Sequence, residues 1–201
     1  PRRTSDRDAA IFATVASATI VAFQLAGRAT RDALYLSTFD LSTLPRIVIV
    51  SAVLSALLSY AVSRRLSRLG PARLVPALFV ASGLLLLVEG ALVPALRPVA
   101  AIVFYLHFGS FGALCVSGFW ALLNERFDPH SAKPLMARVA GAATFGGFVG
   151  GVSAERVAAL LPEGSLLPLL ALVSGACVVG AVTIGRGVPA NRSSEDEALN
   201  S

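Results

Sequence analysis

Long apolar stretches alternate with short polar segments along most of this chain. A helix needs about 20 mostly apolar residues to cross a hydrocarbon core of about 30 Å. No stretch shows the alternation typical of a transmembrane β-strand. The pattern predicts an all-α membrane protein, a bundle of six transmembrane helices covering Ala9–Gly27, Leu44–Val62, Leu74–Leu92, Val99–Asn124, Val139–Leu161 and Leu166–Ile184.

The composition agrees with this prediction. Of 201 residues, 55% are hydrophobic and 14% are charged, whereas soluble domains carry roughly 25% charged residues. The net charge of +5 comes from basic residues between the apolar stretches. Membrane topology explains that excess, so we expect the lipid bilayer as a partner and no nucleic acid.

The basic residues are distributed unequally between the two sides of the predicted bundle. Twelve of the 17 Lys and Arg residues lie on the side that holds both termini. Because cytoplasmic segments are enriched in Lys and Arg, we expect both termini in the cytoplasm. The predicted location is a bacterial inner (plasma) membrane.

The chain divides into a bundle, residues 1–185, and a polar tail, residues 186–201, with an acidic run from Ser193 to Glu197. Such a charge run is typical of a solvated linker. Six spans followed by a cytoplasmic linker are the organisation expected of the N-terminal half of a twelve-helix transporter. We therefore expect a C-terminal remainder of the same chain as a partner.

Polar side chains follow one stripe of the first span. Gln24, Arg28, Arg31 and Tyr35 are three or four residues apart, and Asp32 follows Arg28 at the i+4 position. Guanidinium groups bind phosphate in a bidentate manner. If the helix continues to about Ser37, the stripe faces the bundle interior and predicts a site for an anionic substrate. The alternative is that both Arg residues reach the membrane interface as anchors.

Two ionisable residues lie inside later spans. Glu89 is the acid of the third span, and His107 lies in the fourth. Intramembrane carboxylates often mark proton or ion paths, and histidine titrates near neutral pH. Both are candidates for proton or ion coupling. The alternatives are a hydrated interfacial carboxylate and a histidine that forms only an interhelical hydrogen bond.

The fifth span is rich in glycine. Two overlapping G-x-x-x-G pairs, Gly146/Gly150 and Gly147/Gly151, permit close helix contact. No strand precedes them and no Lys-Ser/Thr follows, so they do not form a phosphate loop. The sequence shows no nucleophile elbow and no metal-ligand spacing. We expect no enzyme activity, no metal and no cofactor.

Two motifs resemble those of a known family. The stretch Arg28–Leu34 and the stretch Ser117–Glu125, the latter followed by Lys133 and a glycine-rich helix, resemble the ATP/ADP carrier-type nucleotide transporters of bacteria and plastids. That family is related to the major facilitator superfamily. The resemblance implies an antiporter of anionic metabolites such as nucleotides that works by alternating access. It places Arg31 as the basic residue that handles substrate, and Asp32, Asn124 and Lys133 at motif positions.

Two other functions remain open. In a facilitator-type transporter of another solute, the Arg/Asp cluster would be a gate salt bridge. In a non-transporting module, the bundle would anchor soluble domains that follow the acidic tail.

Overall fold

The computed structural model describes residues 2–127, 133–160 and 165–186, with side chains from residue 9 onward. This part of the chain is all-helical and contains no strand. Its five α-helices, each long and apolar enough to cross a membrane, are α1 (Arg2–Leu36), α2 (Leu44–Leu69), α3 (Pro71–Arg126), α4 (Lys133–Leu160) and α5 (Leu166–Gly185), with a short 3-10 helix at Leu41–Thr43.

The helices match the predicted spans with one difference. Helices α1, α2 and α5 contain the first, second and sixth spans, α4 contains residues 139–160 of the fifth, and the third and fourth both lie in α3. The described residues therefore form five helices rather than the six that were expected. Leu161 and residues 187–201 of the predicted tail lie outside the described residues. A straight helix of 56 residues would be about 84 Å long. That is more than twice the thickness of the hydrocarbon core.

Helix α3 is not straight, because its backbone leaves the helical conformation at Leu96. This residue has φ −141° and ψ 56°, and it lies between Pro94 and Pro98. Proline lacks the N–H group that an α-helix needs, and its ring clashes with the carbonyl of the residue four positions earlier, which for Pro98 is Pro94. The two prolines explain why the helix breaks here. The break separates a first arm, residues 71–95, from a second arm, residues 97–126.

The two arms pack against each other in antiparallel orientation. Ser82 and His107 are 25 residues apart, yet Oγ of Ser82 lies 3.0 Å from Nε2 of His107. Along a straight helix that separation would be about 37 Å. Further from the break, a Cβ built on Gly118 would lie 2.9 Å from Cγ2 of Val75. The predicted third and fourth spans are thus the two arms of a helical hairpin.

The second arm packs against the first arm and against two other helices. It contacts α1 and α2, while α5 packs on α1 and on the first arm, and α4 packs chiefly on α1. Phe23, Phe79 and Phe108 form a buried aromatic cluster between α1 and the two arms. Helix α2 is peripheral, and most of its apolar side chains are exposed. In a membrane that apolar surface would face lipid.

Glycines allow α4 to approach α1 closely. A Cβ built on Gly146 or Gly150 would overlap the backbone of Ala18 or Ala22, respectively. A Cβ on Gly151 would have nothing within 4 Å. The Gly146/Gly150 pair therefore supports the packing interpretation of the glycine motif, and Gly151 provides a control.

We predict that Gly150→Ala destabilises the protein and that Gly151→Ala does not. The added methyl at Gly150 forces α4 away from Ala22, and overpacking of this kind costs about 1–3 kcal/mol. At Gly151 the methyl meets open space. Thermal unfolding of both variants in detergent measures the difference. Equal melting temperatures would contradict the close-packing interpretation.

We also predict that the ends of the first arm of α3 lie on opposite sides of the membrane. Single cysteines replace the exposed residues Ser67, Ala95 and Lys133 and are labelled with an impermeant maleimide. The native cysteines are buried, so they should react little. Ser67→Cys and Lys133→Cys should react from the cytoplasmic side, and Ala95→Cys from the other. Labelling of all three from one side would refute two crossings by α3.

Candidate functional site

The guanidinium of Arg31 is held where α1 passes the second arm of α3. Its Cζ lies 4.3 Å from the centre of the Tyr105 ring. Its Nε donates a hydrogen bond of 2.8 Å to Oδ1 of Asp32, and Nη2 lies 2.7 Å from the same oxygen. The side chain of Arg31 is 17% exposed, whereas that of Asp32 is 47% exposed. The cation is therefore enclosed by protein, and its acidic partner borders the surface.

Aromatic residues hold Tyr105 in place beneath this cation. The Tyr35 and Tyr105 rings have centroids 4.9 Å apart. The hydroxyl of Tyr35 donates a hydrogen bond of 3.0 Å to Oγ1 of Thr43, at the end of the 3-10 helix. The predicted residues Arg31, Asp32 and Tyr35 are thus brought together. They form one polar site with Tyr105.

Two turns before Arg31, the amide of Gln24 is buried against α3. The residue is 3% exposed, and its Oε1 would lie 2.6 Å from a Cβ on Gly112. Within the described residues, neither atom of this amide has a hydrogen-bond partner. Leaving a buried polar group unsatisfied costs about 1–3 kcal/mol. Gln24 therefore has both a donor and an acceptor available.

Small residues on α3 make room for these polar groups. Gly112 faces the amide of Gln24, and a Cβ built on Gly109 would lie 3.4 Å from Nη1 of Arg31 and would overlap Oγ of Ser51. A larger residue at either position would displace a polar side chain. The glycines thus let polar side chains lie between α1 and α3.

The remaining two predicted substrate residues lie apart from Arg31. Arg28 is exposed, because the buried arc of α1 is centred on Ile20, Gly27 and Leu34 and Arg28 lies beyond its edge. The anchoring interpretation therefore suits Arg28 and does not suit Arg31. Asn124 is also exposed, and it lies about 28 Å along the helix from Tyr105. The structure does not bring Asn124 near the Arg31 site.

Glu89 and His107 meet between the two arms of α3. Nδ1 of His107 lies 2.9 Å from Oε1 and 3.1 Å from Oε2 of Glu89, and Nε2 contacts Oγ of Ser82. Glu89 is 0% exposed and His107 is 7% exposed. The fold-back of α3 covers the carboxyl of Glu89, which favours a buried carboxyl over the hydrated alternative. The hydrogen bonds of His107 join the two arms.

This buried chain has the order serine, histidine, carboxylate. Hydrolases use the same order to activate a serine nucleophile that substrate can reach. Here Ser82 is 2% exposed and lies inside the helical hairpin. The arrangement is suited to holding a proton between the carboxylate and the imidazole.

Sequence reasoning missed several members of these clusters. Ser82 precedes Glu89 by seven residues, which places both on one helix face, and that spacing was a usable signal. Nothing local identified Tyr105 as the partner of Arg31. Arg97 donates hydrogen bonds of 3.0 Å to Ser37 and 3.2 Å to Thr38. These contacts also depend on the tertiary fold and could not be predicted from local sequence. They tie the break in α3 to the end of α1.

Comparison of the chain with protein-family models, with curated proteins and with solved structures finds no match. The fold itself defines the class of protein. The described residues are all-helical, with five helices long and apolar enough to cross a membrane. Any more specific assignment depends on the geometry of the clusters.

We predict that breaking the Glu89–His107 pair destabilises the protein more than removing the pair. His107→Phe leaves the carboxyl of Glu89 buried without its partner, which costs about 3–5 kcal/mol when the group stays charged. The double variant Glu89→Leu/His107→Phe removes both polar groups and should recover most of that loss. Unfolding of the wild type, of His107→Phe, of Glu89→Leu and of the double variant gives the interaction energy. Strictly additive effects would show that the pair does not act as a unit.

Proposed function

We propose that this protein is the N-terminal, six-crossing half of a major-facilitator-like transporter that moves an anionic metabolite by alternating access. The observation that carries the proposal is the enclosed guanidinium of Arg31, held between Tyr105 and Asp32. A cation enclosed within a membrane bundle is costly and is a functional-site hypothesis by default. Anion binding gives this cation a role.

Asp32 is placed so that an anionic substrate can replace it as the partner of Arg31. Both contacts of Arg31 go to a single oxygen of Asp32, and the exposed carboxylate can turn toward solvent. A phosphate group entering from that side would take its place as a bidentate partner of the guanidinium. Occupancy of the site would then change the packing between α1 and α3.

The buried amide of Gln24 favours a substrate with neutral polar groups as well as an anion. Seven residues, or about 10 Å along the helix, separate Gln24 from Arg31. A nucleotide spans such a distance, with phosphate at one end and hydrogen-bonding hydroxyl and base groups at the other. The resemblance of Arg28–Leu34 to the nucleotide-transporter motif supports the same class. Bacterial inner-membrane location and cytoplasmic termini belong to this proposal.

The gate interpretation has less support. A gate salt bridge must join two elements that separate on opening, whereas Arg31 and Asp32 are adjacent in one helix. Their ion pair connects α1 only to itself. The contact of Arg31 that crosses to α3 is the one with the ring of Tyr105.

The test compares Arg31 with Arg28. Binding of ADP, inorganic phosphate and adenosine to the full-length protein is measured by calorimetry in lipid nanodiscs. Arg31→Gln should weaken binding of ADP about 10- to 100-fold, because a charge-assisted hydrogen bond contributes about 1.5–3 kcal/mol. Arg31→Lys keeps the charge but loses the planar fork, so it should recover only part of the affinity.

Arg28→Gln is the matched control, since it removes the same charge from an exposed position on the same helix. We expect it to change ADP affinity by less than about threefold, because exposed charges are screened. Unchanged ADP affinity in folded Arg31→Gln protein would remove the support for an anionic substrate at this site. Equal losses in both variants would indicate a general effect of charge.

A further inference from the structure

The Ser82–His107–Glu89 chain has three protonation levels with different net charges. With a carboxylate and a neutral imidazole the net charge is −1, and with one more proton the pair is neutral. A second added proton makes it +1. A buried net charge is strongly disfavoured in low-dielectric surroundings, and a neutral pair is not. The buried state therefore favours one shared proton.

The neighbours that α5 and α1 bring to this part of the hairpin, among the residues described, are uncharged. Helix α5 brings Ser174 to Gly83 and Leu167 to Gly90, on either side of Glu89 along the first arm, and neither side chain is charged. From α1, Phe23 packs against Phe79 and Phe108. The ionisable partner that the structure places against the carboxyl of Glu89 is His107, with Nδ1 at 2.9 Å from Oε1.

Titratable groups of α1 lie on the opposite face of the second arm. From α1 these are Arg31, Asp32 and Tyr35, which meet Tyr105. From α2, Ser51 approaches Gly109. Cys177 of α5 is also buried.

We infer that Ser82, His107 and Glu89 form a proton-binding site whose loading is coupled to anion binding at Arg31. Tyr105, under the guanidinium, and His107, between the arms, belong to the same turn of α3. The two sites thus lie on opposite faces of one helical turn. The inference rests on the proposed function for its anion and on the geometry of the hairpin for its proton.

The charge of the anion couples its binding at Arg31 to proton binding at the Glu89–His107 pair. Binding of an anion beside this turn disfavours the −1 level of the pair and favours the neutral level. By thermodynamic linkage, the proton must then favour anion binding by the same factor. Proton release requires water or a cation to stabilise the carboxylate, so it requires the two arms to separate. The proton and the anion are therefore carried in the same direction.

The first experiment needs no substrate. Full-length ¹⁵N-histidine protein in lipid nanodiscs is followed by NMR between pH 5 and pH 9, and the signals of His107 are identified by their absence in His107→Gln. We expect the ring nitrogens of His107 to show one protonation change that depends on Glu89. In Glu89→Gln the pattern should differ, because the carboxylate that shares the proton is gone. An unchanging His107 spectrum, or one identical in Glu89→Gln, would overturn the proton site.

The second experiment measures coupling. Full-length protein in proteoliposomes takes up labelled ADP with the outside at pH 6 and the inside at pH 8, or with both sides at pH 7. The gradient should raise initial uptake by the wild type about tenfold, within the usual range of coupling between sites. Glu89→Gln should bring that ratio close to one. Ser174→Ala, which removes a different buried hydrogen bond between α5 and the first arm, should retain the ratio.

The outcomes separate the two proposals. ADP uptake that ignores the pH gradient in the wild type would overturn coupling, whatever the NMR shows. Loss of the ratio in Ser174→Ala as well would indicate a structural effect and would also overturn it. Absence of any ADP uptake or binding by the wild type would refute the proposed function. A Glu89-dependent change at His107 would in that case still support the proton site.

Discussion

At Leu96 the chain must turn back within a long apolar helix, and the positions of the polar side chains depend on how the two arms then align. Pro94 and Pro98 break the helix but do not determine the register between the arms. The register observed brings the carboxyl of Glu89 against the imidazole of His107. A shift by one residue would leave a buried carboxyl without its partner, at a cost of several kcal/mol. This hydrogen-bonded pair is therefore the interaction on which the alignment depends.

Once the arms are aligned, the second arm presents different chemistry on its two sides. Toward the first arm it presents His107, and toward α1 and α2 it presents Tyr105 with the glycines at 109 and 112. The absence of side chains at these glycines lets polar groups of α1 lie between helices that pack closely elsewhere. Polar groups that water would screen at a surface are here held by protein contacts. A movement of this turn must change the surroundings of both clusters together.

Much of the fold could be predicted from the sequence because hydropathy is a local property. The second span starts at Leu44 as expected, and α1 ends at Leu36, next to the expected end near Ser37. The prolines at 94 and 98 were visible in the sequence. The pairing of Glu89 with His107 could not be predicted, since it depends on the alignment of the arms. The prediction from the polar stripe of α1 was limited in the same way, because it also depended on how the helices pack. Spacing alone placed Arg28 and Arg31 together, but the helices that pack on α1 cover only Arg31.

The unsatisfied amide of Gln24 bears on how such a bundle would alternate between states. In the packed arrangement this amide lacks both partners, a cost of about 1–3 kcal/mol, while the Glu89–His107 pair is fully bonded. Opening the contact between α1 and α3 would hydrate Gln24 and remove its cost. Opening the hairpin would instead break the hydrogen bonds of His107. The two contacts thus favour opposite changes, and on the proposed function an anion at Arg31 and a proton at His107 would determine which contact opens.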